Sequence, residues 1–147
     1  MSLVENKKIH LNYEIKDKLE AGLELIGNEV KAIRNNKAQI DGAKVIIRGG
    51  EAFLVGMNVS PYQNSKGESE NQKNVKNDRT RRLLLKKSEI LKLATESEKG
   101  LSLLPIKIYD HHGLLKLEIG IGKRKNKSDK RETIKLKEFK KEKKDVI

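Results

Sequence analysis

The sequence predicts a mainly β protein: a small antiparallel barrel with about two to three helices, ending in a basic tail. Three observations lead there. Apolar residues alternate with polar ones along much of the chain, glycine-bearing turns divide it into hairpins, and residues 123–147 give up apolar patterning for lysine. A length of 147 residues suits one core, not two.

Ile9, Leu11, Tyr13 and Ile15 alternate with polar residues, and Leu19, Ala21, Leu23 and Leu25 continue the pattern. This predicts two half-buried strands or one long bent strand. Gly27 to Arg34 predicts a short helix, with Asn28 as cap, Glu29 in the first turn and Val30 and Ile33 on one face. Ile40 and Val45-Ile46-Ile47 lead to Arg48-Gly49-Gly50, and the chain returns through Ala52 to Val59, which predicts a hairpin. Pro61 closes that strand. Residues 63–78 contain only Val75 as a sizeable apolar side chain, too little burial to offset ordering entropy, so a loop is expected.

From Thr80 the spacing of Leu83, Leu84, Ile90, Leu91 and Ala94 predicts a helix, capped by Thr80 and stopped by Gly100, with Lys and Arg on its other face. A second hairpin is expected from Leu101 to Tyr109 and from Leu114 to Ile121, with Leu115, Leu117, Ile119 and Ile121 on one face and the turn at His111-His112-Gly113. Short antiparallel strands interrupted by helices favour an OB-type barrel. The division expected is a barrel domain over 1–122 and a tail over 123–147. In the tail, Asp129-Lys130-Arg131-Glu132 has capping-box spacing, and lysine repulsion predicts disorder until an anionic surface neutralises it.

Charge narrows the partners. The chain carries 33 Lys/Arg against 21 Asp/Glu, a net charge of +12. Residues 123–147 hold 12 basic and 5 acidic residues of that total. Such a balance attracts polyanions through counterion release, structured RNA first among them, with an anionic membrane surface as competitor. No run of about 18 apolar residues spans a bilayer and the N-terminus lacks a secretory core, so a cytoplasmic location is expected. With no cysteine, disulfides and thiolate metal sites are excluded.

Enzyme signatures are missing: the sequence has no P-loop, GxGxxG, HExxH or nucleophile elbow. Gly120-Ile121-Gly122 reads as a strand bend, and His111-His112 as a solvated turn whose rings point apart without a third ligand, so no cofactor and no metal are expected. Glu68 and Glu70 fall in the expected loop, a poor frame for acid–base chemistry. Basic clusters remain: Lys7-Lys8, Lys31 with Arg34, Arg79 with Arg81-Arg82, Lys86-Lys87, and the tail. The only aromatics are Tyr13, Phe53, Tyr62, Tyr109 and Phe139, which favours phosphate contact and shape recognition over base stacking.

Seven motifs run in order along the chain: Asn6-Lys7-Lys8 followed by Tyr13; Glu20-Ala21-Gly22-Leu23; Glu29-Val30-Lys31-Ala32-Ile33-Arg34; Gly50-Glu51-Ala52-Phe53-Leu54; Arg79-Thr80-Arg81-Arg82-Leu83-Leu84-Leu85; Lys116-Leu117-Glu118-Ile119-Gly120; and Asp129-Lys130-Arg131-Glu132. In order and spacing the chain resembles the SmpB family of SsrA-binding (tmRNA-binding) proteins. The resemblance implies a monomeric OB-type barrel that binds the tRNA-like domain of tmRNA in trans-translation, and a tail that enters the vacant decoding centre and mRNA path of a stalled ribosome, against small-subunit rRNA. It implies that Asn6, Lys7, Glu20, Leu84 and Lys116 belong to the tmRNA surface, joined by Glu29, Lys31 and Arg34. In the tail it implies that Lys123, Lys125, Ser128, Asp129, Lys130, Arg131 and Phe139 face the ribosome.

The chain departs from that family in places. Ser128 stands where many members have a stacking His, Lys44 where an aromatic is usual, and Asp110 and Leu114 where some have Trp. These changes make the expected surface more electrostatic. The alternatives are another basic OB-fold ribosomal or translation protein, a carboxylate-metal nuclease, and a membrane-surface protein.

Overall fold

A computed structural model describes residues 2–60 and 78–125. The expected loop, apart from Asp78, lies outside the described residues, and so do Ser128, Asp129, Lys130, Arg131 and Phe139. In chain order the elements are β1 (Ser2–Glu5), α1 (Ile9–Asn12), β2 (Tyr13–Leu23), α2 (Gly27–Arg34), β3 (Ala38–Gln39), β4 (Lys44–Arg48), β5 (Glu51–Val55), β6 (Asn58–Val59), β7 (Arg81–Leu84), α3 (Lys87–Glu98), β8 (Ser102–His111) and β9 (Leu114–Arg124).

Seven strands form one antiparallel sheet in the order β1-β8-β9-β2-β7-β5-β4, and β3 pairs with β6 beside it. The sheet curls until β4 touches β8, giving a barrel-like wrap, although the described residues do not hydrogen-bond its two edge strands together. The inner face closes on one core that includes Ala52, Leu54, Ile108, Leu117, Ile119 and Ile121. Ala32 and Ile33 of α2 and Leu93 of α3 enter that core fully buried. Burial of this kind stabilises by roughly 1.5–3 kcal/mol per large aliphatic side chain.

Both expected hairpins form, each through a two-residue turn. Gly49 and Gly50 have φ of 59° and 76°, and His112 and Gly113 have 52° and 85°. Positive φ at both positions matches the right-handed twist of the flanking strands. These turns set the registers Arg48↔Glu51 and His111↔Leu114.

Three elements differ from expectation. The polar N-terminus supplies β1, which pairs with β8. Ile9 and Leu11 sit in the helical turn α1, not in a strand; Ile9 belongs instead to a second small core with Leu104 and Ile106. Thr80 does not cap a helix: Arg81 to Leu84 is strand β7, and α3 starts only at Lys87. The alternation in β7 is real but disguised, because its two inward side chains are Arg81 and Leu83 and its two outward ones Arg82 and Leu84. The expected stop at Gly100 holds, its N–H bonding the carbonyl of Ser97 at 3.0 Å. In α2 the cap is Ile26, whose N–H bonds Glu29 Oε1 at 3.1 Å, and not Asn28.

Gly120 and Gly122 lie in extended β9 where it crosses the bulge of β2. A Cβ at Gly122 would stand 2.7 Å from the backbone oxygen of Glu14, which cannot move aside as a side-chain tip can. Gly122→Ala is therefore expected to lower stability by about 1–3 kcal/mol, read as a lower melting temperature. At Gly120 the nearest atom is the flexible Cδ1 of Ile106, so Gly120→Ala is expected to cost less in the same measurement.

Candidate nucleic-acid interface

Successive side chains of a strand face opposite sides of its sheet, so residues of β2, β7, β8 and β9 that do not enter the core share one outer face. Strand register fixes which of them are neighbours. Leu84, Gly22, Lys116 and Tyr109 form one row across four strands. Glu20, Glu118 and Lys107 form the next. Three of the expected RNA-binding residues, Glu20, Leu84 and Lys116, thereby meet around Gly22.

They line a concavity of about 530 Å³ together with Arg82 and Lys86. Leu84 and Lys116 also border a neighbouring concavity that reaches Arg34 and Leu114. On the other side, Asn6 and Lys7 line a third with Lys18, Lys107 and Glu118. Gly22 forms the floor between Leu84 and Lys116; a Cβ there would stand 3.1 Å from Leu84 Cβ. Gly22 is itself buried, and its missing side chain is what lets Leu84 lie across the strand at that point. Leu84 is 51% exposed, an apolar side chain with no core role.

The remaining expected residues are placed as follows. Lys7 and Lys31 are exposed, Lys31 one turn before Arg34 on α2. Arg34 donates to Asp110 Oδ2 at 2.7 Å and to the carbonyl of Gly113 at 3.0 Å, which tethers α2 to the β8–β9 turn. The guanidinium beside Asp110, with the Gly113 N–H, holds that carboxyl below its usual range. Asn6 is half-buried and pins β8, its Nδ2 donating to the carbonyl of Pro105 at 3.2 Å.

Glu29 lies inside the molecule, 5% exposed, its carboxylate enclosed by Arg79 and by the fully buried Arg81. It is placed to fix α2 against β7 and not to meet a ligand. Lys123 and Lys125, expected to begin the tail, belong to the folded body: β9 runs to Arg124, and the Lys125 N–H and Nζ bond the carbonyls of Asn12 and His10, each at 2.9 Å.

Four residues of this face escaped sequence reasoning: Tyr109, Lys107, Glu118 and Lys18. The Glu118 carboxylate lies between Lys18 Nζ at 3.3 Å and Lys107 Nζ at 3.4 Å. The Tyr109 hydroxyl donates to Glu20 Oε2. Burial, with the Glu20 charge beside it, pushes the Tyr109 phenol well above its usual range, so it remains a neutral donor in all ordinary buffers. The signal was available in the turn: counting back from His111↔Leu114 gives 109↔116 and 107↔118.

His111 and His112 do not point apart; their rings meet edge to face at 4.4 Å. No group of three or more His, Asp or Glu among the described residues is placed to hold a metal ion, and no helix among them is long and apolar enough to cross a membrane.

A family model described as SmpB protein matches residues 3–147. The chain belongs to the SmpB family. It is 46% identical over 134 residues to the SsrA-binding protein of Malacoplasma penetrans, covering 90% of this chain and 88% of the relative. It is 45% identical to that of Nitrosospira multiformis, covering 97% and 95%. It also matches a chain of the solved structure described as "tmRNA-SmpB: a journey to the center of the bacterial ribosome", with a TM-score of 0.66 and 35% identity over 88% of this chain and 92% of that one. SmpB membership agrees with the antiparallel fold.

Proposed function

We propose that this protein is a tmRNA-binding factor of trans-translation, in which the outer face around Gly22 holds the tRNA-like domain of tmRNA and the basic tail occupies the vacant decoding centre and mRNA channel of a stalled ribosome. The observation that carries the first half is convergence: Glu20, Leu84, Lys116 and Arg34 come from four separate elements and border two adjoining concavities. Lys7, Lys31, Arg34 and Lys116 supply cations for phosphates, while Leu84 offers apolar contact to a base or ribose and Glu20 accepts from their donors. Asn6 and Glu29 act behind this surface, positioning the elements that bear it.

The protein works in the cytoplasm by binding, as a monomer and without a cofactor, and peptide transfer stays with the ribosome. Ser128, Asp129, Lys130, Arg131 and Phe139 serve the ribosomal half, along with Lys123 at the root of the tail. With Ser128 in place of an aromatic, that half relies on charge and hydrogen bonds.

The test is affinity for a tRNA-like RNA as a function of salt. Four phosphate contacts imply a log–log slope of roughly −3 to −4, since each neutralised phosphate releases close to one counterion. Lys116→Ala is expected to weaken binding and reduce the magnitude of the slope by about 1. Leu84→Ala is expected to weaken binding at unchanged slope. A slope near zero would sink the reading.

A further inference from the structure

Glu20 occupies an electrostatically costly place. It stands directly across from Glu118 in the β2–β9 ladder, and like charges in that relation destabilise a sheet. Glu118 is neutralised by Lys18 and Lys107, but among the described residues no Lys or Arg forms an ion pair with Glu20. What Glu20 has instead is the hydroxyl of Tyr109. Tyr109 is itself held: its ring is half-buried, its strand is fixed by the His112-Gly113 turn, and Lys107 Nζ lies 5.7 Å from the ring centroid. A cation over a tyrosine face is attracted to it and also limits how far the ring can swing.

We infer that Tyr109 is a positioning residue for RNA recognition, fixing the Glu20 carboxylate over the Gly22 floor as an acceptor for a base that presents adjacent N–H donors, such as the Watson–Crick edge of an unpaired guanine. The neutral donor orients the carboxylate without cancelling its charge. Oε1 and the remaining lone pair of Oε2 stay available. A lysine or arginine in the place of Tyr109 would form an ion pair and use that capacity up. Lys116, next to Tyr109 in the same row, then stands beside the base to take its phosphate. Amine and carboxylate divide the nucleotide, the one giving affinity and the other specificity. This inference rests on the proposed RNA-binding role of the outer face.

The test is a double-mutant cycle on the full chain, reading affinity for a tRNA-like RNA against affinity for an unrelated RNA duplex of equal length. Tyr109→Phe and Glu20→Gln are each expected to lower the specificity ratio about tenfold, through weaker binding of the tRNA-like RNA, and together to lower it no further than either alone. Glu20→Asp keeps the charge but draws it back by one methylene, and it is expected to lose as much as Glu20→Gln. This variant decides the matter even if Tyr109→Phe folds poorly. Additive losses in the cycle, a Tyr109→Phe variant of unchanged specificity, or a Glu20→Asp variant that binds like the parent would each overturn the inference. Failure of the parent chain to prefer the tRNA-like RNA at all would instead overturn the functional reading beneath it.

Discussion

A chain ending at Lys125 is expected to bind the tRNA-like domain of tmRNA within about threefold of the full chain, and to support no peptide tagging on stalled ribosomes. The end point follows from the structure: β9 pairs with β2 as far as Tyr13↔Arg124, and the Lys125 N–H closes on the carbonyl of Asn12. A cut at Gly122 would strip the last paired residues from the central ladder and confuse loss of tail with loss of fold. Removing residues 126–147 takes away nine basic and five acidic residues and leaves 24 against 16, so the folded body keeps a net charge of +8. The outer face that carries Lys7, Lys18, Lys116 and Arg34 is untouched. Filter binding and a tagging assay on ribosomes stalled without a stop codon measure the two functions separately. A truncated chain that loses tmRNA affinity more than tenfold would place the RNA contacts in the tail and refute the division of labour.

What could be read from the chain alone was whatever obeys short-range rules. Gly49-Gly50 and His112-Gly113 announce their hairpins because two-residue turns of positive φ are nearly restricted to such pairs. Leu115 to Ile121 alternate cleanly because β9 has one face in the core. β7 was misread for the opposite reason: Arg81 holds a core position, its charge balanced by Glu29 from 52 residues away, and no local pattern signals a pairing of that reach. Leu83-Leu84-Leu85 then looked like part of a helical stripe. α1 was misread because Ile9 and Leu11 mimic a strand, whereas the fold uses Ile9 to cover Leu104 and Ile106. The site divides the same way. Family resemblance supplied Glu20, Leu84 and Lys116, while the contribution of Tyr109 appears only once β8 is set against β9 and β2.

Glu29→Gln is expected to destabilise the fold by about 3–5 kcal/mol, although it changes one oxygen to nitrogen, because it leaves a buried guanidinium without a counter-charge. Arg81 is fully buried, and its Nε and Nη2 approach Glu29 Oε2 at 2.8 and 2.5 Å. Arg79 adds Nε to Oε2 at 3.1 Å and Nη2 to Oε1 at 2.5 Å. Burial alone pushes the Glu29 carboxyl up, but the Arg79 hydrogen bonds, the Ile26 N–H and the Arg81 charge outweigh it and hold the carboxyl below its usual 4.5. A carboxyl depressed in the fold contributes stability that is complete above its unfolded value and lost as pH falls through its folded one. The gap between parent and Glu29→Gln, measured by urea denaturation, should therefore be widest near neutrality and shrink in acid below about pH 4.5. Adding Arg81→Met should recover part of the loss, since a neutral side chain needs no counter-charge, yet not all of it, because Arg81 Nη1 also serves the carbonyls of Met57 and Arg79. The consequence reaches the outer face from behind. Glu29 belongs to α2, which carries Lys31 and Arg34, and Arg81 to β7, which carries Leu84, so loosening their pair lets two walls of the groove drift apart. A Glu29→Gln chain that melts within about 1 °C of the parent would show that Arg81 finds another partner and that α2 and β7 are held by packing alone.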